Sequence, residues 1–542
     1  MNTNIHTASA VGNSPWERRL AVLLPFVAVG VAFAPALGAG FMADDWAILA
    51  LARHGGSGWD YFFTDHTATY SYRPNGMLVW HLVIQLFGWT ALPQYAVQFL
   101  LHGSNAALLA LLLLRLGATP WRAALLGLVY ALHPIASGTV LWLADRFDLI
   151  AVNGTLLLLL SLDAWRCGRR GALLLVLLSA AWAAGAKEVA LAVLPAALAW
   201  VWLAGKGRPR GERVAVALAA TLPFAAALAM RWLIFGSSGV DRTGSALTLS
   251  QSVLTGGSAW IHSLPMALIG SNPGMLITLL AGVLLLVVLV LSAWNASQPA
   301  AMTEHRLALV AGLALVVFPA LLQSPVTAVM LVSPDPLGLS SNMRFFYLAL
   351  AGLIIGSVPI RWTSAGLRWI PASIMLVVVV LLALPAWNAA VAWRRVSVTP
   401  IKQQLATAIG EAIRASRYQP GCMLYIEDIP EDEQDVSLYA DSIAKAQLPP
   451  GDPRFDCLVV SSSLTLLALT SPRVSRLPAG VAARPVAGIP ERVRGLKLAS
   501  RAIMNGRIQV HFPDRLSAHE ARQLGGVHLL RWDGSALVED AR

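Results

Sequence analysis

Stretches of about 20 apolar residues recur along the chain, each closed by a short segment carrying charge, the length that carries an α-helix across a bilayer. Read in turn they cover residues 21–41, 95–114, 121–138, 147–164, 171–186, 188–204, 214–235, 274–293, 307–323, 345–360 and 370–392. The pattern predicts a mainly α membrane protein, a polytopic bundle of about eleven transmembrane helices. Between the first two spans lies a long segment, 42–94, rich in Trp and Tyr, including Trp46, Trp59, Tyr61, Tyr72, Trp80 and Trp89. Aromatic side chains favour the membrane interface, so this first outer loop should form amphipathic helices lying on the bilayer surface, one of them at 76–88.

The pattern changes at Arg394. Residues 400–542 contain no apolar span. Gln403 to Ser416 has helical amphipathicity, and Met423 to Ile426, Leu458 to Ser461, Arg507 to Phe512 and Val527 to Arg531 read as short strands. The expected division is a transmembrane domain over 1–393 and a small α/β domain over 394–542.

Of 542 residues, 56% are hydrophobic and 13% charged, with a formal net charge of +11. A soluble domain carries about 25% charged residues, so composition agrees with the apolar runs. The positive charge is not a nucleic-acid footprint. It clusters in alternate loops: Arg18-Arg19, Arg115 with Arg122, Arg166 with Arg169 and Arg170, Lys206 to Arg213, Arg306, and Arg361 with Arg368. Such loops stay cytoplasmic. The N-terminus is therefore expected inside an inner (cytoplasmic) membrane and the C-terminal domain outside it. Ala32-Phe33-Ala34 resembles a cleavage site, but Pro35 follows it and the apolar run continues to Met42; the first helix is expected to stay as an anchor. Two of the three cysteines, Cys422 and Cys457, precede the first two strands. In an oxidising compartment they either pair or remain buried thiols.

The intervening loops hold isolated charges: Asp44-Asp45 and Arg73, then Asp145-Arg146-Phe147-Asp148, Lys187-Glu188, Asp241-Arg242 and Arg344. Positive charge is normally depleted on that side, and a charge near lipid costs about 2–4 kcal/mol depending on depth. An anionic ligand at the outer rim would repay it, since Arg offers phosphate a planar fork and Lys a mobile point charge. A nearby carboxylate supplies the base that a hydroxyl nucleophile needs. Asp44 and Asp45 repel one another, so one has a raised pKa, or a divalent cation or an arginine neutralises the pair. His54, Asp65 and His66 match no metal-site spacing.

These segments resemble the type C membrane glycosyltransferases, in particular the protein O-mannosyltransferase-like superfamily. The likeness lies in Asp44-Asp45-Trp46 after the first helix, Tyr72-Arg73-Pro74 followed by a helix with His102 and Asn105, Leu132-His133-Pro134 leading to Asp145-Arg146-Phe147-Asp148, Lys187-Glu188, and Asn342-Met343-Arg344-Phe345-Phe346-Tyr347. The resemblance implies a polyprenyl-phosphate-linked sugar donor, inverting transfer of a hexose, and a hydroxyl acceptor on a glycan, lipid or protein. It implies Asp44 or Asp45 as the catalytic carboxylate, Arg73, Arg146, Lys187 and Arg344 around the donor phosphate, and His133, Asp148, Glu188 and Tyr347 in support. No tetratricopeptide pattern follows residue 394, unlike in the repeat-bearing relatives. Two other classes remain open: a transporter or flippase of a lipid-linked or anionic solute, which predicts charges and broken helices near the bilayer midplane, and a non-catalytic membrane scaffold.

Overall fold

The computed structural model describes residues 14–64, 72–235, 249–269, 275–298, 303–330, 343–360, 370–416, 423–430, 433–461 and 527–539. Cys422, Asp65, His66, Asp241-Arg242 and the strand expected at 507–512 lie outside them.

Several helices start the same way, with a capping side chain followed by proline at the first helical position, where the missing N–H costs nothing. Ser14 caps α1 (Pro15–Ala32), Thr119 caps α5 (Pro120–Leu132), and His133 caps α6 (Pro134–Leu141). The amphipathic stretch before the second span folds as α2 (Asp44–His54) and α3 (Pro74–Phe87), the latter turning Leu82, Leu86 and Phe87 outward. The chain then continues through α4 (Ala91–Arg115), the α5–α6 pair, α7 (Arg146–Arg166), α8 (Ala172–Ala184), α9 (Val193–Ala204) and α10 (Arg210–Phe235). After these come α11 (Leu249–Ile269), α12 (Met275–Ser297), α13 (Thr303–Met330), α14 (Tyr347–Gly356) and α15 (Ile370–Ser397).

Among the described residues, five helices are long and apolar enough to cross a bilayer, or six if α5 and α6, bent by 54° at their junction, form one span. Lipid-facing sides are visible directly: α12 leaves Leu280, Val283, Leu284, Leu286 and Val290 well exposed. An apolar surface of that extent has no place in water. The chain is a membrane protein. Most expected spans are single helices, but 21–41 divides into α1 and a 3₁₀ turn (Ala34–Gly38), 121–138 into α5 and α6, 188–204 into a 3₁₀ turn (Glu188–Ala192) and α9, and 345–360 into a turn (Met343–Phe346) and α14. Helix α11 was not foreseen, because Ser, Thr and Gly interrupt its apolar run. The boundary expected at 393 falls inside α15.

Ion pairs identify the two ends of the bundle. Arg166 Nη1 lies 2.5 Å from Glu304 Oε1, joining the end of α7 to the start of α13. At the opposite end Arg344 meets Asp145, and Arg231 meets Glu188 at 2.7 Å. The end of α15 belongs there too, since Ser397 Oγ accepts the Gly40 N–H at 3.0 Å.

Beyond α15, Thr399 caps α16 (Pro400–Ala415). Strands β1 (Met423–Glu427), β2 (Leu458–Ser461), β3 (Val527–Trp532) and β4 (Leu537–Glu539) form one sheet in the order β2-β1-β3-β4. β1 is parallel to β2 and β3, and β4 is antiparallel to β3. A parallel pair needs a crossover, and α17 (Gln434–Ala446), which the sequence reading did not anticipate, joins β1 to β2. Leu405, Ile409, Leu424, Ile426, Tyr439 and Ile443 make its core, and Ala47 of α2 belongs to that same core. Cys457 is disulfide-bonded, whereas Cys167 is free and exposed.

Candidate active site

The acidic pair divides into two different environments. Ala43 precedes α2 with φ 47° and ψ −121°, a conformation that costs a non-glycine residue about 1–3 kcal/mol. Asp45 holds this turn. Its Oδ2 accepts the Met42 N–H at 3.0 Å and its Oδ1 accepts the Ala144 N–H at 2.8 Å, with the side chain fully buried. Asp45 is thus a bracket between the first outer segment and the turn before α7. Asp44, at the start of α2, is only half-buried. Its Oδ1 accepts the Tyr439 hydroxyl from α17, and nothing among the described residues donates to Oδ2. Burial pushes the Asp44 pKa up, opposed by the Tyr439 hydrogen bond and then by the charges of Arg344 and Arg73. Asp45 is raised well above the carboxylate range by burial, opposed by the Met42 and Ala144 amides.

The turn Leu143–Asp145 and the start of α7 separate in the same way. Arg146 is wholly buried. It donates to Gln94 Oε1 at 2.7 Å, the Gln94 carbonyl at 2.8 Å and Gln98 Oε1 at 3.2 Å, and stacks 4.4 Å from the Trp80 ring centroid. That geometry clamps α7 to α3 and α4 and leaves no surface for a phosphate, correcting the expectation for this residue. Asp145 lies 3.5 Å from Arg344 Nη1, and its buried Oδ2 has no hydrogen-bond partner among the described residues. Arg344 stacks 4.3 Å from the Trp142 ring centroid. Asp148 pairs with Lys187.

Lys187 and Glu188 are held by a backbone lock. The Asn75 N–H donates to the Gly185 carbonyl at 2.9 Å, and Nδ2 donates to the carbonyls of Ala181 and Trp182 in the last turn of α8. The approach leaves no room for larger residues: a Cβ on Gly185 would lie 2.5 Å from Asn75 Nδ2, and one on Gly76 would lie 2.0 Å from the Phe147 ring. Arg73, at the head of α3, therefore sits over Phe147, 5.3 Å from the ring centroid, with Nη2 3.1 Å from Glu188. Arg231 of α10 takes the other Glu188 oxygen at 2.7 Å. The Nε of both arginines is buried without a hydrogen-bond partner among the described residues.

Electrostatics closes the circuit. Asp44 feels Arg344 and Arg73, Asp145 feels Arg344, Asp148, Lys187 and Asp44, and Glu188 feels Arg73, Arg231 and Lys187. Asp44, Arg73, Asp148, Lys187, Glu188 and Arg344 thus converge at one end of the bundle. His133 and Tyr347 do not join them. His133 Nδ1 accepts the Ile135 N–H, and Nε2 donates to the Leu268 carbonyl at 2.9 Å, so the ring caps the α5–α6 break. The Tyr347 hydroxyl donates to His102 Nδ1 at 2.7 Å and accepts from Asn105 Nδ2 at 3.2 Å inside the helix packing. Both were expected in a supporting role; the contacts they make are within the helix packing. Two residues went unnoticed in the sequence. Arg231, a lone cation near the end of an apolar helix, carried a readable signal; Tyr439, in an ordinary amphipathic helix, carried none. Among the described residues no group of three or more His, Cys, Asp or Glu is arranged to hold a metal.

No family model matches the chain, and no curated protein matches it. The solved structures similar to this chain include these three. ArnT from Cupriavidus metallidurans, bound to undecaprenyl phosphate, has a TM-score of 0.47 and 12% identity over 80% of this chain and 87% of its own. The Archaeoglobus fulgidus oligosaccharyltransferase in complex with Zn and sulfate has a TM-score of 0.47 and 11% identity over 78% of this chain. The same organism's AglB oligosaccharyltransferase, with an inhibitory peptide and a dolichol-phosphate, has a TM-score of 0.42 and 11% identity over 81% of this chain. The match spans 61% and 64% of those two archaeal chains, less than two thirds of each. All three are distant likenesses of fold.

Proposed function

We propose that this protein is an integral-membrane glycosyltransferase that moves a sugar from a polyprenyl-phosphate donor to a hydroxyl acceptor on the extracytoplasmic face. The observation that carries the reading is Asp44: a half-buried carboxylate with one unengaged oxygen, within electrostatic reach of guanidinium groups from two distant segments. The acceptor hydroxyl gives its proton to Asp44 Oδ2 as its oxygen bonds to the anomeric carbon. The bond from that carbon to the phosphate oxygen breaks, and its electron pair leaves with the lipid phosphate. A single displacement of this kind inverts the anomeric configuration. Arg73, Lys187, Arg231 and Arg344 receive the departing anion, and the carboxylates now paired to them keep those side chains oriented until it arrives. One such preorganised donor typically contributes about 3–4 kcal/mol of transition-state stabilisation. Arg146 and Asp45 shape the site without touching the reactants.

The topology fits this chemistry. We take the Arg166 end of the bundle, where basic residues of the described loops gather, to face the cytoplasm; the Asp44 end then faces outward with the α/β domain that follows α15. Helix α10 ends on the outer side and α13 starts on the inner side, so α11 and α12 together make one net crossing, which the more apolar α12 supplies. A transporter reading finds a broken helix at α5–α6, but the break is closed by His133 and carries no charge.

Complementation of a deletion strain, followed by mass spectrometry of its glycans and glycolipids, tests the proposal. Wild type restores the missing sugar and Asp44→Asn does not. Full restoration by Asp44→Asn would remove the catalytic assignment.

A further inference from the structure

Resting on that reading, we propose that Tyr439 of the C-terminal domain is a positioning residue of the transfer site: it engages Asp44 Oδ1, turns Oδ2 toward the acceptor hydroxyl, and so makes the outer domain one wall of the acceptor pocket.

The contact belongs to a built interface. Helix α17 lies along α2, and the α/β core continues onto α2 through Ala47. Two polar bonds fix the far end of α2: Arg53 Nη1 donates to the Ala446 carbonyl at 2.6 Å, and His54 Nε2 meets the Lys445 carbonyl at 2.9 Å. The His54 ring also packs on Phe455 with centroids 4.3 Å apart. Helix α17 is itself anchored inside its domain, where the Lys445–Asp441 pair is fully buried and Asp441 Oδ1 accepts the Val459 N–H at 3.0 Å. Tyr439 is therefore presented to Asp44 by a rigid frame, with 2% of its surface exposed.

The bond has a chemical consequence beyond packing. A phenol donating to a carboxylate favours the ionised form, the form a general base must hold. The groups around Asp44 and Tyr439 come from every neighbouring element: Asp45 on α2, Asp145 in the turn before α7, Arg73 before α3, Arg344 before α14, and Asp435 on α17. With the two arginines in place, removing the phenol leaves burial less opposed, and Asp44 keeps its proton to higher pH.

The test uses the full chain in proteoliposomes with synthetic short-chain polyprenyl-phosphate hexoses, following release of polyprenyl phosphate against pH. Wild type, Asp44→Asn and Tyr439→Phe are compared. Tyr439→Phe is expected to move the acidic limb alkaline by about one pH unit, a charge-assisted hydrogen bond's worth, and to lower the plateau rate at high pH, because Asp44 Oδ2 is no longer held in place. Fluorotyrosine at position 439, a stronger donor of the same shape, is expected to move the limb the other way, a result no folding defect produces. Limbs that coincide in all the Tyr439 forms, with Asp44→Asn inactive, overturn the inference and leave the functional reading standing. An Asp44→Asn protein as active as wild type overturns the functional reading itself.

Discussion

Asp45 Oδ1 accepts the backbone N–H of Ala144 at 2.8 Å, across a separation of 99 residues. Through this bond the first outer segment and the turn before α7 become one unit, and Asp44 is brought beside Asp145 and Arg344. Adjacent aspartates thus have opposite tasks. One spends both oxygens on backbone amides, and the other leaves an oxygen open.

Asp45→Asn should damage the fold more than the chemistry. An amide replaces one acceptor with a donor facing a buried N–H, which costs about 1–3 kcal/mol. The expected result is a lowered Tm in detergent and less folded protein in membranes. Asp44→Asn should leave Tm unchanged and lower turnover by about 10²–10⁴-fold, the usual share of a general base. Equal Tm losses in the two variants would contradict this division.

Rate should rise with pH through an acidic limb that lies higher than the titration of a solvated aspartate. Burial raises the Asp44 pKa, so the carboxyl stays protonated, and inactive as a base, at pH values where a solvated aspartate is already ionised. Turnover measured across mildly acidic to neutral pH checks the sign; a limb at or below the ordinary aspartate value contradicts it.

Arg231→Gln should weaken donor binding. Glu188 holds Arg231 and Arg73 side by side at 2.7 and 3.1 Å. Loss of one charge-assisted contact to phosphate should raise the donor KM about tenfold. Steady-state kinetics with varied donor would show it, and an unchanged KM would exclude Arg231 from the phosphate site.

Tyr347→Phe should lower stability and leave the pH profile alone. The hydroxyl serves His102 and Asn105, and Asn105 in turn donates to the Leu149 carbonyl at 2.9 Å. Stranding those buried partners costs about 1–3 kcal/mol. Thermal unfolding would report the loss; a shifted acidic limb would instead return Tyr347 to the reacting groups.

Local pattern was enough for the elements and for many of the chemical groups. Apolar runs set most helices, since an element buried in lipid must satisfy its own backbone hydrogen bonds and does so as a helix whatever its neighbours are. Strands β1, β2 and β3 were legible because short apolar runs between charged segments leave few alternatives. Arg73, Lys187 and Arg344 drew attention as positive charges standing against the bias of the outer loops, and Asp44, Asp148 and Glu188 as isolated carboxylates on the same side. What a charged group does once folded depends on partners far away in sequence, and only the tertiary structure decided that. Asp45 looked like a candidate catalytic carboxylate and Arg146 like a phosphate ligand until the Ala144 amide and the Gln94–Gln98 pair were found to engage them. Tyr439 looked like any core tyrosine until α17 was found lying along α2. Composition and periodicity record what each segment must bury; they do not record which hydrogen bonds the segments complete for one another.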